Sequence, residues 1–304
     1  MLYAADVLIC LRQLITLRSS ECFTTYDFYS LNRPIPTAAD CPSCNCSIMG
    51  NIFLGSRIMS IKVENLTVSY QRRPAIHHID ITFEDHSMWA IFGPNGAGKT
   101  TIFNLLTGVY KPTDGDISIN GTSINKKSTP QIVSLGVART FQNIRLFKNL
   151  SVLDNVKLAL NNSMTYSTLD AIFRLPKYWK EEKKVTDKAL DLLDIFEMTE
   201  MENITAGNLS YGQQRKLEIA RALATSPKLL LLDEPAAGMN PNETKDLMNT
   251  IGFIREKFKI SILLIEHDMD LVMGICERLY VLNFGKIIAK GLPEEIQNNK
   301  EVIT

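Results

Sequence analysis

From Ser60 to Tyr70 (SIKVENLTVSY) apolar and polar residues alternate with the period of two that sends successive side chains to opposite faces of a strand. Between Ile61 and Phe92 the pattern continues as short strands broken by polar turns at 71–74 (QRRP) and 84–86 (EDH), which predicts an antiparallel sheet. Trp89 to Phe92 is an apolar strand, Thr101 to Thr107 has helical spacing, and Gly115 to Gly121 (GDISING) reads as one more strand closed by turn residues. From about Leu150 to Asn208 the period lengthens. Val185, Ala189, Leu192, Leu193 and Phe196 share one helix face, with Glu181, Glu182, Lys183, Lys184 and Lys188 on the others as a solvated surface. This stretch predicts an inserted helical subdomain. Leu229–Leu232 and Ile260–Ile265 are continuous apolar runs of strand length, the form of parallel strands buried on both faces. Their alternation with helices over 211–225 and 242–258 predicts a wound α/β core, and Arg278 to Gly291 predicts a terminal hairpin.

Composition narrows the class. In 304 residues, 45% are hydrophobic and 22% charged, as in ordinary globular proteins. Thirty-three basic residues balance thirty-three acidic ones, which argues against an electrostatic grip on nucleic acid. No apolar run approaches the length of a membrane span, so any action at a membrane must run through a partner.

Five of the 6 cysteines (Cys10, Cys22, Cys41, Cys44, Cys46) fall near the start, and only Cys276 lies in the remainder, as a reducing cytoplasm would have it. Cys41, Cys44 and Cys46 have metal-like spacing, but no histidine precedes His77 to complete a zinc set. Residues 1–58 carry no sustained period, and Asp6 and Arg12 break the form of a secretory signal. They are expected to be an extension, disordered or not native and without catalytic role, with Met59 as the natural start and 59–304 as the working domain.

Gly93-Pro94-Asn95-Gly96-Ala97-Gly98-Lys99-Thr100-Thr101 has the Gly-x4-Gly-Lys-Thr form of a phosphate-binding loop, between a strand and a helix as that motif requires. Triphosphate oxygens need many donors in a small volume, and backbone N–H groups of a glycine turn supply them where no Cβ intrudes. Lys99 is expected to reach the β- and γ-phosphates and Thr100 to place its hydroxyl on Mg²⁺. The run Leu229–Leu232 then ends in Asp233 and Glu234. Two carboxylates at a strand's C-terminal edge suit holding Mg²⁺ (Asp233) and polarising an attacking water (Glu234). Leu209-Ser210-Tyr211-Gly212-Gln213 opens a helix, with Ser210 three residues before Gln213 as in a capping box. Read with the other two motifs, Ser210, Gly212 and Gln213 form a second phosphate-binding surface, serving a nucleotide held by another subunit.

With these motifs in place, residues 60–300 resemble the ATP-binding cassette family, the ATPase subunits of ABC transporters. The resemblance implies an α/β fold: a P-loop NTPase cassette with a mixed parallel core sheet, a flanking antiparallel β subdomain and a helical subdomain inserted at about 150–208. It implies ATP and Mg²⁺ as ligands. Gln142, in Arg139-Thr-Phe-Gln142, matches the glutamine that senses Mg²⁺ and the membrane partner, so Thr100, Gln142 and Asp233 make the implied metal set. His267 matches the switch histidine at the γ-phosphate, and Tyr70 stands where the family stacks an aromatic ring on adenine. Tyr211 replaces the first glycine of the Leu-Ser-Gly-Gly-Gln signature, and Asn240 stands where many members have aspartate in the turn from Ala236 to Pro241.

Three segments, 140–147 (TFQNIRLF), 210–215 (SYGQQR) and 237–241 (AGMNP), look like the ATPase of branched-chain amino acid importers. That likeness implies a second ATPase subunit (the same chain or a sister), two transmembrane permeases, an external solute-binding protein and a place on the cytoplasmic face of the membrane. The alternatives are another cargo, such as lipid or urea, and a soluble cassette acting on DNA or the ribosome. A GTPase is disfavoured, because 125–128 (NKKS) lacks the aspartate of the guanine-reading motif.

Overall fold

The computed structural model describes residues 60–70, 73–160, 170 and 173–303, all within one compact unit, Arg57–Thr304. The expectations for residues 1–58, including the Cys41, Cys44 and Cys46 cluster, lie outside the described residues.

Two sheets form the frame. β1 (Ile61–Tyr70), β2 (Arg73–Phe83), β4 (Asp114–Ile119) and β5 (Thr122–Ser123) make an antiparallel sheet in the order β2-β1-β4-β5. The core sheet takes β3 (Met88–Phe92), β6 (Val137–Arg139), β7 (Leu229–Asp233), β8 (Ser261–Ile265), β9 (Arg278–Asn283) and β10 (Lys286–Gly291) in the order β10-β9-β3-β8-β7-β6. All its pairings are parallel except the β9–β10 hairpin, so the mixed α/β class holds. One assignment changes. β3, read as continuing the antiparallel run, instead sits inside the core sheet between β9 and β8, with every residue up to Ile91 buried.

Continuous apolar strands are explained by what lies on each side. Leu229 and Leu231 of β7 face the antiparallel sheet together with Ile61, Ile79 and Ile81, while Leu230 and Leu232 face a helical layer. α1 (Lys99–Leu106) joins the first of these cores through Ile102 and Phe103. A short α2 (Thr129–Ser134) leads into β6.

The helical layer holds α3 (Val152–Leu160), α4 (Pro176–Ile195), α5 (Tyr211–Leu223), α6 (Pro241–Phe258) and α7 (Met269–Ile275). On α4 the buried residues are Val185, Ala189, Leu192 and Leu193, the face read from spacing. α8 (Pro293–Gln297) and α9 (Lys300–Ile303) close the chain. Among the described residues no helix is long and apolar enough to cross a membrane.

α6 starts where Asn240 caps it. Its side chain accepts from the Glu243 N–H at 3.0 Å, and Glu243 accepts from the Asn240 N–H at 3.1 Å. Asparagine at this position is therefore a helix cap, whatever it does toward another subunit.

Between the sheets Trp89 stacks on Tyr280 at 5.0 Å, with Phe83 edge-on to both, and the Trp89 indole N–H donates to Ser87 Oγ at 2.7 Å. Trp89 is 2% exposed, so Trp89→Ala is expected to lower unfolding free energy by about 3–5 kcal/mol. A denaturant titration showing less than about 1 kcal/mol would mean the sheets do not lean on this stack.

Candidate functional site

The parallel strands β3, β8 and β7 end on one edge of the core sheet, where ligands bind in sheets of this kind. β3 runs into the glycine loop. Gly93 has φ 150°, and a Cβ there would stand 2.0 Å from the Leu282 carbonyl oxygen of β9, so only glycine lets the loop pass. Gly98, at φ 107°, is the N-cap of α1 and offers no side-chain cap. The first helical bond runs from the Ile102 N–H to the Gly98 carbonyl at 3.1 Å. The amides of Lys99, Thr100 and Thr101 therefore leave the helix end without intrahelical partners. An uncapped, positive helix end beneath a glycine turn fits an anion, and a phosphate chain is the anion such turns take.

Lys99 lies buried, its Nζ donating to the carbonyls of Gly93 at 2.7 Å and Pro94 at 3.0 Å. Burial lowers its pKa below the ordinary lysine value, while the charges of Glu234 and Asp233 pull it back up.

The two carboxylates at the end of β7 behave differently. Asp233 is buried and its Oδ2 accepts from Arg139 Nη2 at 2.7 Å. Arg139 Nη1 donates to Asn104 Oδ1 of α1 at 2.7 Å, and the guanidinium lies over the rings of Phe103 and Phe141. Glu234 takes a left-handed backbone, φ 47°, which is uncommon for a residue other than glycine. Gln142 Nε2 donates to its Oε2 at 2.7 Å, and His267 Nε2 meets its Oε1 at 2.7 Å. Two residues singled out only by resemblance thus converge on the carboxylate singled out by strand position. A cavity of about 650 Å³ opens beside Glu234 and His267, lined also by Met239, Met248 and Leu271.

Ser210, Gly212 and Gln213 stand at the start of α5. Ser210 Oγ accepts from the Gln213 N–H at 3.3 Å and Gln213 Oε1 accepts from the Ser210 N–H at 3.0 Å, the box read from the sequence. Each side chain accepts from the other residue's backbone N–H, and among the described residues neither is bonded to the loop at Gly93–Gly98. Gly212 is buried where a Cβ would come within 3.2 Å of Glu243 Oε1, and the Tyr211 ring packs beside Gly238. Tyr70 closes β1, and its ring is outside the described side chains. Among the described residues no hydrogen bond joins Thr100 or Gln142 to Asp233, whose partner is Arg139.

Sequence reasoning passed over several residues. Arg139 stands three before Gln142 at the end of a three-residue strand too short to show a period. Glu266 is buried, accepting from the Ala236 N–H at 2.9 Å and the His267 N–H at 3.2 Å, and burial raises its carboxyl pKa. Cys276 is buried too, and burial pushes its thiol up to about 12.

Residues 76–237, more than half the chain, match the sequence profile of the ABC transporter family. The chain belongs to that family. Its relatives include the high-affinity branched-chain amino acid transport ATP-binding proteins BraF of Pseudomonas aeruginosa, 42% identical, and LivG of Escherichia coli, 41% identical. Each alignment spans 243 residues, 80% of this chain and 95% of the relative. A solved ATP-binding cassette of an ABC transporter in its ADP conformation superposes with TM-score 0.70 at 31% identity, over 81% of this chain and 97% of that one. The structure of cbiO1 from Clostridium perfringens, part of the ABC transporter complex cbiONQ, gives TM-score 0.69 at 28% identity, over 80% of this chain and 92% of that one. The fold is therefore that of an ATP-binding cassette, and the chain is a nucleotide-binding ATPase of the ABC type.

Proposed function

We propose that this chain is the ATP-hydrolysing subunit of an importer for branched-chain amino acids. The observation that carries the cargo is the 42% identity to BraF across 95% of that protein's length. The observation that favours hydrolysis is the meeting of Gln142 and His267 on Glu234 beside the glycine loop.

In this reading residues 93–98 and the amides of Lys99, Thr100 and Thr101 cradle the phosphates of ATP, Lys99 reaches the β- and γ-phosphates, and Tyr70 stacks on adenine. Glu234 orients the attacking water, and Lys99 and His267 stabilise charge on the γ-phosphate as it leaves. Thr100, Asp233 and Gln142 offer hydroxyl, carboxylate and amide oxygens, the donors a hard cation takes; they would hold Mg²⁺, which would supply positive charge against the phosphates. Residues 59–304 perform this work.

Ser210, Gly212 and Gln213 face the γ-phosphate of ATP held by a second ATPase subunit, the same chain or a sister. Nucleotide then binds the closed pair better than the open pair, and that difference drives closure. Closure moves two permease subunits supplied by an external solute-binding protein, with this chain peripheral on the cytoplasmic face of the membrane. Nucleic acid plays no part.

The test is reconstitution of this chain with the permeases it co-purifies with, followed by uptake of radiolabelled leucine into vesicles. ATP-dependent uptake supports the reading. Hydrolysis of ATP by the assembly without transport of leucine, isoleucine or valine would remove the cargo and leave the ATPase.

A further inference from the structure

Among the described residues, a fully buried ion pair lies on α5 outside the set of residues proposed to touch nucleotide. Arg215 and Glu218, one turn apart on α5, are 0% and 2% exposed and pair through Nη1 and Oε2 at 2.8 Å. Their remaining bonds go to the irregular segment that carries Gln142. Arg215 Nη1 donates to the Phe141 carbonyl at 2.7 Å and Nη2 to the Gln142 carbonyl at 2.8 Å. Glu218 Oε1 accepts from the Phe141 N–H at 3.4 Å and the Arg145 N–H at 3.2 Å. Arg221, further along α5, donates to the Arg145 carbonyl. The same Arg215 guanidinium comes within 3.4 Å of the Tyr211 hydroxyl, in the first turn of α5, and 3.5 Å of the Glu234 carbonyl.

A buried ion pair is a poor way to gain stability, because desolvation offsets the attraction and apolar substitutes of similar size are often as stable. What this pair supplies is attachment. Backbone groups of an irregular segment must find partners once buried. Here the partners of residues 141, 142 and 145 are side chains of one helix. If the segment left α5, its own backbone groups and a buried ion pair would lose their partners together. The segment and the helix are therefore bound to shift as one body.

We propose that Arg215 and Glu218 are positioning residues: a clamp that makes the Gln142 segment follow the helix opened by Ser210, Gly212 and Gln213. Displacement of that helix start, by nucleotide on a second subunit, is then delivered to Gln142 Nε2 and so to Glu234 Oε2, which lie 2.7 Å apart. This couples the two nucleotide sites of an ATPase pair through one chain. It rests on the reading of Glu234 as the residue that orients water.

The test uses the full chain and the double variant Arg215→Met/Glu218→Leu, which replaces the pair with apolar side chains of similar length. Three quantities are read: hydrogen exchange of the 141–145 backbone, affinity for a fluorescent ATP analogue, and steady-state hydrolysis. The clamp requires faster exchange at residues 141–145 and ATP affinity within about twofold of the parent. It also requires kcat lowered about ten- to a hundred-fold with KM little changed, the scale expected when a reacting group is misplaced by about an ångström.

Unchanged exchange and unchanged kcat in a variant that melts like the parent would overturn the clamp. So would parallel losses of affinity, kcat and melting temperature, which mark a merely structural pair. If the double variant does not fold, Glu218→Gln carries the same expectations, since it keeps the shape and removes the charge. A failure of the clamp is distinct from a failure of the site itself, which would appear as full activity in Glu234→Gln while the 141–145 exchange still responds to the double variant.

Discussion

Glu234→Gln is expected to lower kcat about 10²–10⁴-fold while leaving ATP binding intact, the loss typical of removing a general base. The carboxylate sits at the end of a buried strand, and its two oxygens face Gln142 and His267 at 2.7 Å each. A carboxamide keeps that outline but cannot take a proton from water. One of its two ends now donates, so the neighbour facing that end must accept a hydrogen bond rather than give one. Because bound ATP favours the closed pair in the proposed cycle, a variant that cannot hydrolyse it should accumulate as a closed, ATP-loaded dimer. Single-turnover hydrolysis, together with sizing in the presence of ATP, checks both halves. Hydrolysis at the parent rate would remove Glu234 from the chemistry.

Lys99→Ala should produce the second large loss, and it should fall on binding as well as rate. Lys99 is a buried cation resting on the carbonyls of Gly93 and Pro94, at the loop where the proposed phosphates lie. A charge-assisted hydrogen bond is worth about 1.5–3 kcal/mol, so ATP affinity should fall roughly ten- to a hundred-fold, with hydrolysis reduced further. Thermal shift gives a direct reading. Ligand at a hundred times its Kd stabilises a protein by about 2.7 kcal/mol, and at the same ATP concentration that stabilisation should fall to about 0.4–1.4 kcal/mol in the variant. Removing Lys99 also frees two loop carbonyls, so the unliganded variant must be melted beside the parent to separate loop damage from lost affinity. An undiminished shift would mean that phosphates do not approach this lysine.

Most of the frame was legible because long periodic segments announce themselves. Leu229–Leu232 and Ile260–Ile265 are apolar without interruption because each strand is covered on both faces, and α6 was read to within a residue of Pro241–Phe258. β6 went unread because three residues cannot display a period, and its partner β7 lies ninety residues further along the chain. β3 was placed in the wrong sheet because an apolar strand says that it is buried but not beside which neighbour.

The site divided in the same way. The glycine loop and the Asp233–Glu234 pair carry their chemistry in consecutive residues. Gln142 and His267 stand 92 and 33 positions from Glu234, so nothing local could join them, and only the family resemblance did. Arg215 and Glu218 had a signal that sequence analysis could have used: an acid within the apolar run Leu217-Glu218-Ile219-Ala220, with a base one turn earlier.

The alternation along β7 has a further consequence. Leu229 and Leu231 belong to one packed layer and Leu230 and Leu232 to another, with the strand's own backbone between them. The helical-side cluster is separate from the layer that holds Ala97 and Phe103 at the glycine loop, so substitutions on opposite sides and more than about 10 Å apart should add rather than interact. Descendants of this chain can remodel the outer surface for a new companion while the floor beneath the fuel stays as it is.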